Sequence, residues 1–428
     1  MSSRIDGPTQ LSSARIFFAL LALAMGGFGI GATEFAAMGL LPNMAHDLLP
    51  SLYAASPTDA NAQASWIIAA YALGVVVGAP TIAVLTARWS RKTLLISLVV
   101  AFTLGTIASA LAPTFGLVMV ARFVSALPHG AYFGIASIVA AKLMGPGKRG
   151  RGVAIVLGGL TISNIIGVPL ITWLGENHGW RVAYVAVAGI FALTCVAIAV
   201  LVPAQKADPA ASMVRELKAF GRPQVWLALA IGAIGFGGLF AVYSYVAPIV
   251  TNITGLPAGM VPLVLVLVGI GMTVGNFVGG WGADRNLKRS MFVFFGTLLV
   301  GLVGLALTAH TLVGLLVFLF VVAASCSALS PAIQTRIMDV ASDSQSIAAA
   351  LNHSALNIAN ALGAYLGGVT IAAGLGYISP VWVGAILGLA GVGLAAFSFR
   401  VERRNIRRAP EASFPATGPI ERVPMLVE

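Results

Sequence analysis

Acidic residues are scarce in this sequence. Only 14 of its 428 residues are Asp or Glu, and the four charged types together make up 9%. An ordinary soluble domain carries about a quarter charged residues, so a conventional water-facing surface is excluded. Cysteine is rarer still: Cys195 and Cys326 both stand in apolar stretches, which leaves no disulfide framework and no metal-ligand spacing. The five histidines include no HxxxH pair. An enzyme working inside a bilayer would need serine with histidine, paired aspartates or a histidine cluster in apolar surroundings. None is present, so neither catalysis nor a metal or other cofactor is expected.

What the chain does contain is apolar length. Hydrophobic residues make up 58%, alongside 49 glycines. Uncharged runs of about twenty residues, enough to cross a hydrocarbon core, recur along most of the sequence. They fall at 15–42, 65–85, 94–113, 116–141, 153–174, 182–203, 224–250, 260–282, 291–309, 311–335, 347–374 and 380–399. This pattern predicts an all-α integral membrane protein with 12 transmembrane helices in two pseudo-symmetric six-helix bundles. The first run continues through Glu34 to Pro42, too long for the apolar core of a cleaved leader.

The net charge of +11 does not point to nucleic acid, because its distribution is one-sided. With both termini placed in the cytoplasm, every Lys and Arg except Arg122 and Arg181 falls in the head, the cytoplasmic loops or the tail. That is the positive-inside pattern, and it faces anionic lipid. The polar stretch 205–223 divides the segments six and six. The predicted organisation is a cytoplasmic head at 1–14, bundles at 15–204 and 224–400, a linker at 205–223 and a disordered basic tail at 401–428. Within the linker, MVRELKAF reads as a short surface helix. Two echoes link the halves: TARWSRK at 86–92 with ADRNLKR at 283–289, and GFG at 27–29 with GFG at 235–237. Repeats of this kind build sites near the bilayer midplane between two bundles.

One acid lies inside a predicted span. Glu34 interrupts the first segment, and an ionisable group at bilayer depth marks an ion or proton pathway. It lies eight residues before Pro42, about 12 Å from the outer end, while Arg122 lies about 9 Å in from the same side. The two are placed to meet. They read either as a proton-coupling pair or as a buried ion pair that fixes helix packing, with Arg122 orienting helices. His129 is seven residues after Arg122 and on the same face by period. It either relays protons or bonds a substrate, or it satisfies neighbouring backbone beside Pro128. Phe240, Tyr243 and Tyr245 suit a cavity for amphipathic molecules, although Tyr245 also fits an interfacial aromatic belt. His353, Asn357 and Asn360 form one polar stripe in the eleventh segment, read first as hydrogen bonding between helices and otherwise as a functional face.

Four stretches carry a family resemblance: GATEFAAMGLLP, RFVSALPHGAYFG, GVPLITWLGENHGWR and FAVYSYVAP. Over residues 15 to 400 the chain resembles the major facilitator superfamily, and within it the twelve-helix drug:proton antiporters of the arabinose-efflux and chloramphenicol-resistance type. The resemblance implies a central cavity lined by segments one, four, seven and ten. It also implies a gating motif after segment two, Gly-x-x-x-Asp-Arg-x-Gly-Arg-Lys/Arg. Here the Asp position is Ala87 and the second Gly is Ser90, leaving Arg88, Arg91 and Lys92, whereas the second half keeps Asp284 and Arg285. A cytoplasmic charge latch would therefore rest mainly on the second loop. The antiporter motif of segment five is matched in part, by Gly159, Gly167 and Pro169.

The expected function is proton-coupled efflux (antiport) of small amphipathic compounds such as drugs across a bacterial inner membrane by alternating access. The alternatives are an exporter of sugars or nucleosides, or a uniporter or importer of the same fold. The expected partners of this monomeric chain are a small-molecule substrate, protons and the lipid bilayer, with no nucleic acid.

Overall fold

A backbone crossing hydrocarbon must satisfy its own hydrogen bonds, and for uncharged apolar runs the helix does so within one segment. The computed structural model describes residues 12–205 and 212–408, and these are almost entirely helical. Residues 1–11 of the head, Lys206 of the linker and the tail from 409 onward lie outside the described residues. Among the described residues, 11 helices are long and apolar enough to cross a membrane. They are α1 (Ser13–Gly39), α2 (Asp59–Leu85), α3 (Arg91–Leu111), α4 (Phe115–Met144), α5 (Arg149–His178) and α6 (Trp180–Leu201). Then come α7 (Pro223–Tyr243), α8 (Val261–Thr308), α9 (Leu312–Ala341), α10 (Gln345–Ala372) and α11 (Ser379–Arg404).

Local chemistry sets the ends. Ser12, Ser90, Thr114 and Thr311 accept the first free amides of α1, α3, α4 and α9. Gly145 and Gly179, both at positive φ, end α4 and α5. The predicted segments 260–282 and 291–309 join into the single 48-residue α8, interrupted where Asn286 leaves helical geometry (φ −158°, ψ 92°). Its side-chain oxygen then accepts from Arg289 N at 2.9 Å and starts the second arm. Helix α9 runs further than predicted and carries Arg336 and Asp339. Residues 401–408, placed in the tail by sequence, continue the last helix to Arg408.

Buried apolar side chains fall into two large clusters, one drawn mainly from residues 19–202 and the other from 225–399. Phe102 stacks on Phe191 at 4.7 Å in the first. Large apolar residues such as Leu104, Leu111, Val200, Val300 and Leu389 point outward, the face a bilayer covers. Gly159 lets α5 press on α1, since a Cβ there would lie 1.9 Å from Ala24 O.

The halves meet at the end that carries the linker. Asp284 accepts from Gly150 N at 2.6 Å and Arg151 N at 3.1 Å, and Arg149 pairs with Asp339 at 3.0 Å. Deeper in, Asn276 donates to Ala154 O at 2.5 Å. In the linker, Met213–Leu217 forms a helix followed by a 3-10 turn over Lys218–Gly221, with Glu216 buried.

Candidate functional site

Between the two clusters lies a cavity, and Glu34 is in its wall. Seven helices contribute: Glu34 and Phe35 from α1, His129 from α4, Thr161 and Asn164 from α5, and Phe236, Phe240 and Tyr243 from α7. Met272 and Asn276 come from α8, Ser327 and Ser330 from α9, and His353, Asn357 and Asn360 from α10. The space that water can occupy is about 90 Å³. Drug-sized ligands fill pockets of ~300–1,000 Å³, so the cavity is contracted below the size such a ligand needs.

Behind Glu34 stands Arg122, almost fully buried. Its guanidinium donates to Thr33 Oγ1 at 2.9 Å and Thr33 O at 3.1 Å. It also lies over the Tyr71 ring at 4.2 Å and over the Tyr184 ring at 5.4 Å from the ring centre. Among the described residues Glu34 and Arg122 form no ion pair within 4 Å, so the expected meeting is replaced by contact through the adjacent residue. The Tyr71 hydroxyl shares a hydrogen bond with His129 Nδ1 at 3.2 Å, which makes Tyr71 a neighbour of both groups. Nothing in the sequence singled Tyr71 out.

His129 and His353 approach to 5.4 Å between ring centroids because α4 and α10 nearly touch. Cβ atoms at Gly130 and Gly134 would lie 2.9 Å and 2.7 Å from the backbone of Ala350. His353 stacks on Phe133 at 4.3 Å, and its Nε2 is buried without a partner among the described residues. The polar stripe therefore faces the cavity and does not tie helices together, against the first of the two sequence readings. Asn357 donates to His353 O within α10, while interhelical bonding falls to Asn352, which donates to Gln334 at 2.5 Å.

Of the expected cavity residues, Glu34, His129, Phe240 and Tyr243 line it. Tyr245 does not: its hydroxyl donates to Ala364 O at 2.7 Å and its ring packs against Gly367. Thr161, Asn164, Asn276, Ser327 and Ser330 were missed, although polar residues in apolar runs were the available signal. In α5, the five residues Ser163–Gly167 form a π turn ahead of Pro169. Gly167 there clears the Phe28 ring, a Cβ being 2.8 Å from it.

The loop residues lie away from the cavity, at the linker end. Arg88 is exposed, Lys92 donates to Ala199 O at 2.6 Å, and Arg285 lies over Trp281 at 3.8 Å. Arg91 lines a second space together with Ala87 and Glu216. At the opposite end Asp47 binds Trp180 Nε1 at 3.0 Å and the Arg181 guanidinium. Burial pushes its carboxyl up most, but those hydrogen bonds and the charges of Arg181 and His46 together outweigh it and hold it below the usual 3.8. Glu216 goes the other way: burial raises it, and the Ile347 amide and nearby Arg215 and Arg91 only partly offset this.

The profile of the Major Facilitator Superfamily matches residues 23–341 and 288–425. The chain is 39% identical to the inner membrane transport protein YdhP of Escherichia coli K12, over 88% of this chain and 95% of that one. It is 33% identical to the putative transporter AraJ of the same organism (92% and 98% covered). A chloramphenicol resistance protein of Streptomyces lividans is 32% identical (89% and 96%). Among solved structures, the proton:xylose symporter XylE shares the fold at TM-score 0.70 and 16% identity, covering 91% of this chain and 96% of that one. Sequence and fold agree: this chain belongs to the major facilitator superfamily and is a multi-pass membrane transporter, not an enzyme.

Proposed function

We propose that this transporter exports small amphipathic compounds across the bacterial inner membrane in exchange for protons, by alternating access of the central cavity. The observation that carries the reading is the presence of one carboxylate, Glu34, in a cavity otherwise lined by aromatic, aliphatic and neutral polar side chains. A proton and a substrate competing for that group is the simplest physical route to antiport. Linkage then requires that acid weaken substrate binding by the same coupling free energy with which substrate expels the proton. Each unit of pH gradient offers about 1.4 kcal/mol per proton, and each 100 mV about 2.3 kcal/mol per net charge moved.

Twelve crossings with both termini cytoplasmic fit this reading. The 48-residue α8, about 72 Å if straight, is more than twice the thickness of a hydrocarbon core and turns at Asn286, so we count it as two. The cationic linker end is then the cytoplasmic one. We assign Glu34 as the proton carrier and Arg122 as its positioning partner. His129, Phe240 and Tyr243 are assigned to the substrate wall, and Asp284 with its surroundings to the cytoplasmic closure. The drug-resistance name of one relative supports the amphipathic class.

A second reading, export of sugars or nucleosides, is favoured by one observation. Thr161, Asn164, Asn276, Ser327, Ser330, Asn357 and Asn360 give the wall more hydrogen-bonding groups than the first and seventh segments alone offered. The deciding experiment is a susceptibility panel in an efflux-deficient bacterium expressing the chain, with phenicols, dyes, sugars and nucleosides. Substrate-induced alkalinisation or acidification in inverted vesicles then reads exchange against simple diffusion. Protection against sugars or nucleosides alone would replace the amphipathic class, and transport with no proton movement would remove the antiport reading.

A further inference from the structure

The sequence repeats one motif after the second and eighth predicted segments, but only the later copy keeps its acid. That acid, Asp284, reaches out of the second half and binds the first-turn amides of α5 through Gly150 and Arg151. A helix N-terminus has free N–H groups and a partial positive charge, so a carboxylate there is both bonded and electrostatically favoured. The contact joins the two halves at the linker end.

By the same repeat, Ala87 stands where the first copy would carry its acid, and α10 occupies the place in the second half that α5 holds in the first. The first turn of α10 should then lack a carboxylate. It does not. Glu216 of the linker helix accepts from Ile347 N at 3.0 Å and is 7% exposed. The approach is fixed from several sides: Ser344 donates to Arg215 O at 2.6 Å, and Arg215 Nε donates to Asp343 O at 3.2 Å. Glu216 and Ala87 line the same space of about 720 Å³, left open beside the short alanine side chain.

We infer that Glu216 takes over the part of the acid missing at position 87, so that the linker itself latches the first turn of α10. Because His353 follows Ile347 by six residues, about 9 Å along α10, the latch also sets the height at which His353 meets the cavity. Glu216 is thus a positioning residue for cavity closure, acting from outside both bundles. The asymmetry has a mechanical content: one latch is borne by a bundle, the other by the tether between bundles. The link to transport rests on the alternating-access reading proposed above, whereas the latch itself does not.

The test is amide hydrogen exchange in residues 345–350 of the full-length protein in lipid nanodiscs, paired with export assays in cells. Glu216→Ala should raise exchange there by tenfold or more and lower export, leaving residues 149–152 protected. Asp284→Asn should do the reverse, raising exchange at 149–152. Adding Ala87→Asp to Glu216→Ala should restore at least half of the lost protection and of the lost export. Should Glu216→Ala not fold, Glu216→Gln keeps the size and an acceptor while removing the charge, and should give an intermediate rise. Unchanged exchange in the variant that folds would overturn the latch. Raised exchange without rescue by Ala87→Asp would overturn the equivalence with position 87. Raised exchange with export intact would overturn the positioning role. The exchange readout needs no substrate, so it stands apart from any failure of the export reading.

Discussion

Arg122 holds Thr33 with two donors, one to the hydroxyl at 2.9 Å and one to the carbonyl at 3.1 Å. That fork fixes the backbone immediately before Glu34 and leaves the carboxylate facing the cavity. The cation is held at the residue before the acid and is not paired with it. A carboxylate locked in a direct pair would be costly to protonate, because breaking a buried pair strands a charge.

Glu34→Gln should abolish uphill export while leaving expression and thermal stability nearly unchanged. Glutamine keeps the shape and loses the titration, and among the described residues no other carboxylate lines the cavity. Export in vesicles with an imposed pH gradient is the measurement; undiminished accumulation in the variant would remove Glu34 from the coupling mechanism.

Replacing Arg122 separates charge from position. Arg122→Lys keeps the charge but cannot make the planar fork to Thr33, so export should fall about tenfold with the pH profile unmoved. Arg122→Met removes the cation, which disfavours an ionised neighbour, so the profile should move to higher pH. Identical profiles for both variants would show that Arg122 acts only through the backbone of α1.

Gly159→Ala should destabilise the protein by about 1–3 kcal/mol, the usual effect of forcing atoms into a packed contact, because its Cβ would meet Ala24 O at 1.9 Å. Gly189→Ala in α6 meets nothing within 4 Å and should be neutral or slightly stabilising. Thermal unfolding in one detergent compares them; equal midpoints would mean that α1 and α5 are not in contact as described.

On the face opposite the linker, Arg181→Gln should bring the Asp47 carboxyl back towards its ordinary value. A depressed carboxyl adds stability above its unfolded value and loses it as pH falls through the folded one. The wild type should therefore be the more stable near neutrality, by about a degree given the exposure of the pair. That margin should close below pH 3.8, the ordinary carboxylate value. Unfolding midpoints measured from pH 7 to 3 check it, and a margin independent of pH would mean the pair carries no charge coupling.

Segment positions were legible because apolar length is a one-dimensional property. The corner at Asn286 was not: the charged run ADRNLKR announced a break, but only backbone geometry says that the helix resumes at once. In α5 the π turn over Ser163–Gly167 shifts the register of whatever follows, which a regular helical period does not report. In α10 the period held. There His353, Asn357 and Asn360 share a face as predicted, yet polarity alone does not tell whether a face meets a helix or a gap. Tyr245 was misplaced for the converse reason, since Gly367 opens room for its ring on the neighbouring helix. Glu34 was legible because a lone acid in an apolar run needs no neighbours to be recognised.

Asp284 and Glu216 have one more property in common: each binds main-chain amides. An amide is present whatever residue occupies the position, with proline as the one exception. The hydrogen bonds themselves are therefore kept whatever side chain the receiving residue carries. The receiving positions are constrained by packing instead: a Cβ at Gly150 would lie 2.6 Å from Gly280 O, Arg151 pairs with Asp284 at 3.5 Å, and Ile347 is fully buried. The closure at this end thus reads side-chain chemistry at the two acids and side-chain size at Gly150 and Ile347, two constraints that substitutions separate.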